Sequence, residues 1–204
     1  AVASDLSTHA NLVGSETLTL SGTGSVANAN VGNNKTVTVG TLALGNGSNG
    51  GLAANYTLTG GTHQLTVNQR PLNATLARQY DGTTAAAGST LSSFDALQGG
   101  ETLTMTGSGT AASANVANGI AMSSNGNLAL ADGTGAASNY SLNSTVINVT
   151  QRPISVSGTR LYDATTNAVA SDLSTHANLV GSETLTLSGT GTIASKDVGS
   201  NKTV

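Results

Sequence analysis

The chain has 204 residues, of which 8% are charged and 2% aromatic; 26 are glycine, none is cysteine, and the formal charge is -3. Seven basic residues in all give no electrostatic footprint for phosphate backbones or anionic lipid, so nucleic acid is not an expected partner. Absent cysteine excludes disulfides, thiolate metal centres and cysteine nucleophiles together, and no apolar run approaches the roughly 18 residues that would insert this segment in a bilayer.

In chain order, strict alternation of apolar and polar residues marks half-buried strands. Residues 16–21, 35–39 and 63–68 alternate in this way, as do 127–130 and 154–157, each placing Leu, Val or Ile on one face and mostly Thr, Ser or Asn on the other. Gly, Asn and Ser clusters such as residues 45–51 separate them and supply turn chemistry. The alanine-rich pieces 83–89 and 109–117 can be read as short helices, with the surrounding Gly, Ser and Asn weighing against it, and a single helical turn is an option near 91–97 and 6–12. Pro71 and Pro153 lack an N–H and belong at the first residue of a strand or on an edge.

Self-similarity settles the organisation. Gln69-Arg70-Pro71 recurs 82 residues later as Gln151-Arg152-Pro153, and residues 1–24 recur unchanged at 168–191. A diverged middle copy lies between: Glu101 answers Glu16 and Glu183, and Asn139-Tyr140-Ser141-Leu142 answers Asn55-Tyr56-Thr57-Leu58. The expected domains are therefore 1–68, a repeat lacking its first strand; 69–150, a complete repeat; and 151–204, a repeat lacking its last strands. Ala1 follows no methionine or signal peptide, so the chain reads as a piece of something longer. The fold expected is all-β, with tandem small antiparallel β-sandwich repeats (Ig-like or β-grasp-like) of about 82–85 residues and six or seven strands each. Two sheets would each bury one alternating face and turn a threonine-rich face to solvent.

Tyr80-Asp81-Gly82-Thr83-Thr84, the alternating strands, Asn139-Tyr140-Ser141-Leu142 and the closing strand into Gln151-Arg152-Pro153 together resemble the YDG-type repeat, which is similar to the MBG repeat. Such repeats occur in tandem in very large secreted bacterial adhesins of the filamentous-haemagglutinin kind. The resemblance covers the whole chain and implies export through the outer membrane, a place in a surface stalk or biofilm matrix, and no catalytic residues. The third copy departs from it, reading Asp163-Ala164 where the second has Asp81-Gly82.

No set of residues points to catalysis, because no histidine and acid recur beside any hydroxyl. The repeat-motif residues are Tyr80 and Tyr162, Tyr56 and Tyr140, Asp81 and Asp163, Arg78 and Arg160, and Pro71 and Pro153. Each tyrosine reads either as a glycan-stacking platform or, more simply, as a packing aromatic whose hydroxyl finds a partner. Asp81 and Asp163 suit turn capping better than calcium, since no second acid lies nearby in sequence; no cofactor is expected, and calcium is weakly supported. Arg78 and Arg160 are expected to stack on a tyrosine or pair with Glu101 or Glu183, and Arg70 and Arg152 to brace the junction between repeats. His9 and His176 stand where the middle copy has Phe94, so theirs is a packing position; His63 stands alone. Lys35 and Lys202 could suggest an isopeptide cross-link, but the middle copy has no lysine.

These readings converge on a non-catalytic stalk or fibre repeat of a secreted surface adhesin that spaces an adhesive region. The alternatives are a weak glycan- or exopolysaccharide-binding module acting by avidity and a filament subunit that exchanges strands. The partners expected are neighbouring repeats of the same chain, other copies by strand addition, and extracellular polysaccharide.

Overall fold

A computed structural model describes residues 1–6 and 9–204. Its strands in chain order are β1 (Leu18–Ser21), β2 (Gly32–Thr36), β3 (Ala43–Asn46), β4 (Gln64–Val67), β5 (Arg70–Gln79), β6 (Ala85–Ala87), β7 (Leu91–Phe94) and β8 (Leu103–Thr106). They continue as β9 (Ser108–Ala111), β10 (Ala117–Ser124), β11 (Ala129–Asp132), β12 (Tyr140–Thr150), β13 (Ser155–Ser157), β14 (Asn167–Val169), β15 (Thr175–Ala177) and β16 (Thr190–Thr192). The fold is all-β, as the alternation requires; the described helical segments are single 3₁₀ turns such as Ala3–Asp5 and Gly88–Thr90.

Two compact units emerge. The first comprises Ala1–Leu72, Ala96–Leu103 and Leu130–Asn143; the second comprises Asn73–Asp95, Thr104–Ala129 and Ser144–Val204. In the first, β1 pairs antiparallel with β3, Leu18 opposite Asn46, and β2 pairs antiparallel with β4, Lys35 opposite Leu65. Leu18, Val37 and Leu42 are buried there.

The second unit is built on a six-stranded sheet of order β6-β9-β10-β12-β5-β7. Alternation explains its packing: Ala74 and Leu76 on β5 and Ile147 and Val149 on β12 are buried at every second position, while the residues between them face outward or lie half-buried. Each fully buried Leu or Ile contributes about 1.5–3 kcal/mol relative to leaving it in water. Four of the five neighbouring pairs run antiparallel.

The exception is β5 with β12. The Ser144 hydroxyl meets Oδ1 of Asn73 at 2.6 Å, and further along the same pair the Tyr80 N–H donates to the Thr150 carbonyl at 2.9 Å. Residue numbers rise together along both strands, so the pair is parallel. A parallel pair needs a long crossover, and here the intervening part of the repeat supplies it. The opening and closing strands of the repeat thus lie side by side at the centre of the sheet. Its start and end consequently lie at opposite ends of that sheet.

Several local expectations shift. Of the two segments with an optional helical turn, 91–97 begins with strand β7, its 3₁₀ turn falling just before it, and 6–12 includes residues 7 and 8, outside the described residues. The alanine-rich pieces contribute strands β6 and β9. The strand expected at 35–39 lies three residues earlier, at Gly32–Thr36.

Candidate functional site: the repeated tyrosine–aspartate turn

The turn after β5 is clasped by its own side chains. Asp81 Oδ1 accepts the Thr83 N–H and the Thr83 hydroxyl, both at 2.9 Å, and the Arg78 guanidinium, which also donates to the Thr83 carbonyl. The third copy repeats the clasp with Arg160, Asp163 and Thr165, except that Arg160 donates to Oδ2 of Asp163 while Thr165 donates to Oδ1, and Arg160 also reaches the Thr165 hydroxyl. The aspartate closes the turn by accepting the N–H two residues on, and the arginine, three residues before it, locks the carboxylate from the other side. The Arg78 side chain is 9% exposed and the Asp81 side chain 46%.

Partial burial works against charge on Asp81, but the Thr83 donors and Arg78 outweigh it and hold the carboxyl below the usual carboxylate range. For Asp163 the Thr165 N–H does most to lower it, with the Thr165 hydroxyl and Arg160 adding to it. The residue after the aspartate is left-handed in both copies, Gly82 at φ +75° and Ala164 at +63°. That geometry explains why glycine suits the position and why the alanine of the third copy is strained.

Arg78 and Arg160 therefore pair with Asp81 and Asp163, in place of Glu101 or Glu183. Those glutamates serve the tyrosines. Tyr140 donates its hydroxyl to Glu101 and accepts the Gln98 N–H at 3.3 Å; Tyr56 does the same with Glu16 and the Val13 N–H at 3.1 Å. The hydrogen bond to the carboxylate raises the pKa of both phenols. The shared position of Glu16, Glu101 and Glu183, in step with the recurring tyrosines, is the signal that could have exposed this pairing.

Tyr80 takes a different acceptor. Its hydroxyl donates to Glu183, a residue of the following repeat within the same compact unit, which likewise raises its pKa. Alongside, a Cβ built on Gly82 would lie 2.8 Å from Cγ1 and 3.8 Å from Cβ of Val180. Beside this contact lies an open groove of about 980 Å³, lined by Tyr80, Val116, Pro153, Ile154, Val180 and Leu185 among others.

Arg70 and Arg152 brace their own repeats and do not bridge two. Nε of Arg70 donates to the Ala96 carbonyl and Nε of Arg152 to the Asn178 carbonyl, each at 2.8 Å, holding a loop residue of positive φ at the same repeat position. Pro71 is the second residue of β5, ahead of the part that pairs with β7, and Pro153 lies just before β13. Phe94 and His176 occupy equivalent strand positions opposite Ala74 and Val156 and are both half-buried, as a packing position requires. His63 contacts the Leu58 carbonyl through Nε2 at 2.8 Å. Nζ of Lys35 lies 2.7 Å from the Asn28 side chain, whereas Lys202 reaches the Ser195 carbonyl.

No curated protein and no solved structure is similar enough to this chain to match. The YDG domain family model does match, in three consecutive segments, residues 1–64, 62–147 and 148–204. The chain therefore belongs to the YDG domain family.

Proposed function

We propose that this chain is a non-catalytic spacer: a run of tandem repeats in the stalk of a secreted bacterial surface adhesin, holding an adhesive region away from the cell. The observation that carries the reading is the parallel pairing of β5 with β12. A repeat that starts at one end of its central sheet and finishes at the other passes the chain onward in one direction. From Asn73 to Gln79 that sheet advances about 20 Å at the usual strand rise. In the complete repeat the polar groups of the motif support the same reading, because they are spent within the chain: aspartate on its turn, arginine on aspartate, tyrosine on glutamate. The low charge and the absence of cysteine suit a passive extracellular fibre assembled by repetition. Its partners on this reading are neighbouring repeats, and it needs no metal or cofactor.

The functional test varies the number of repeats beneath an epitope-tagged tip displayed on a bacterial surface. Accessibility of the tip to a bulky antibody should rise with repeat number. Unchanged accessibility across lengths would overturn the spacer reading.

The groove beside Tyr80 favours a second reading, weak binding of an extracellular polysaccharide multiplied along the array. Glycan binding that rises steeply from two to eight repeats would support it, and none at either length would remove it.

A further inference from the structure

The loop that carries the repeated glutamate has one geometry in both compact units. The Glu101 N–H donates to the Gln98 carbonyl at 2.9 Å and that of Glu183 to the Val180 carbonyl at 3.1 Å, with Gly99 and Gly181 left-handed between them at φ +60° and +57°. A preceding repeat meets this loop in two different ways. In the first unit Asn139, next to the tyrosine that bonds Glu101, accepts the Val31 N–H at 2.9 Å and donates to Oδ1 of Asn30 at 3.1 Å. In the second unit Glu183 accepts the Tyr80 hydroxyl, and Val180 abuts Gly82. The gripping loop of the first contact recurs beside the second. Asn115-Val116 answers Asn30-Val31, and the two loops close alike: the Asn30 N–H donates to the Asn28 side chain and the Asn115 N–H to the Ser113 hydroxyl, each at 3.1 Å. Val116 lines one groove with Tyr80 and Glu183.

We infer that these two contacts are halves of a single joint, made wherever one complete repeat follows another: the Tyr-Asp-Gly turn and the Asn-Val loop of the leading repeat seat together on the glutamate loop and the Asn-Tyr turn of the next. The carboxylate is where the halves meet. Tyr140 bonds Glu101 at Oε2 and Tyr80 bonds Glu183 at Oε1, so the two oxygens at this position serve one phenol of their own repeat and one of the repeat before. The amide of Asn139 answers a donor and an acceptor on one loop, and an acceptor oxygen is kept at the loop position in every copy, as Asn30, Asn115 and Asp197. One point of contact would leave a pivot between repeats. Two separated points fix their rotation as well as their spacing, so the array is stiff at each junction. The joint deepens the spacer reading and rests on it in one respect, that neighbouring repeats are the partners.

With no cysteine in the chain, introduced pairs report on the joint directly. In the full chain, Gly82→Cys with Val180→Cys should close within one molecule on mild oxidation, because a Cβ at Gly82 stands 3.8 Å from that of Val180, the separation of a relaxed disulfide. The union of the halves is read in the full chain with residues 69–150 duplicated in place, which sets two complete repeats in succession. There Gly82→Cys of the leading copy should close with Gln98→Cys of the trailing copy. In the closed protein the Val116 N–H of the leading copy should exchange with deuterium roughly tenfold more slowly, by NMR, than that of the trailing copy, because only the leading one is followed by an Asn-Tyr turn. Asn139→Ala in the trailing copy should abolish the difference, whereas Asn139→Asp, which keeps the acceptor, should retain it. A pair that does not close, a closed protein whose two Val116 amides exchange alike, or a difference that survives Asn139→Ala would each overturn the joint. The spacer reading fails separately, if accessibility of a displayed tip does not change with repeat number.

Discussion

Replacing Asp81 by alanine should expose how much of the repeat's stability resides in its signature turn. The substitution removes the acceptor for the Thr83 N–H and hydroxyl and leaves Arg78, whose side chain is 9% exposed, without its carboxylate. Loss of a capping acceptor costs about 1 kcal/mol, and stranding a nearly buried charge costs more. Because the Asp81 side chain is 46% exposed, solvent screens the ion pair and the estimate is discounted to about 1–2 kcal/mol in total. Urea unfolding should show a lower midpoint with an unchanged slope. Asp163→Ala should cost less, since both partners there are more exposed, at 19% and 51%. A loss for Asp81→Ala within experimental error of zero, or one smaller than that for Asp163→Ala, would refute the clasp as a source of stability.

Three further outcomes follow from the same geometry. Both clasp carboxyls have folded pKa values lowered relative to the unfolded chain, so the stability they contribute is complete above about pH 4, the ordinary aspartate value, and is lost as pH falls through the folded values; an acid titration followed by circular dichroism should show it, and Asp81→Asn should flatten it. Gly82→Ala should destabilise by about 1–2 kcal/mol through its left-handed backbone and the close Val180 methyl, while Ala164→Gly should stabilise by up to about 0.5–1 kcal/mol, and paired denaturation curves of the opposite sign would check both. Leu76→Ala, at a fully buried position, should cost about 2–5 kcal/mol in the same assay, and a cost below 1 kcal/mol would mean that the six-stranded sheet does not hold the core.

Much of this architecture is written locally. The alternation at residues 16–21 and 63–68 foretells β1 and β4 because each strand buries one side of a sheet, and the Tyr-Asp turn is legible because its hydrogen bonds close within five residues. What was not legible depends on distance. Strand β2, with the sequence Gly32-Asn33-Asn34-Lys35-Thr36, carries no apolar alternation; it is a strand because the β4 backbone pairs with it. The parallel match of Asn73 with Ser144 spans the repeat and leaves no periodic trace in sequence. The partners of the tyrosines were missed for a related reason: Glu101 and Tyr140 are 39 residues apart, and only the repetition of both positions links them. Arg78 pairs with an aspartate three residues away, a local partner that takes precedence over the distant glutamates.

Small-angle X-ray scattering of tandem proteins with one, two, four and eight complete repeats tests the central claim most directly. With opening and closing strands parallel, each repeat should add a constant length of at least about 20 Å to the maximum dimension, the advance of its central sheet. A maximum dimension that grew only with the cube root of repeat number, as for a compact globule, would contradict the account.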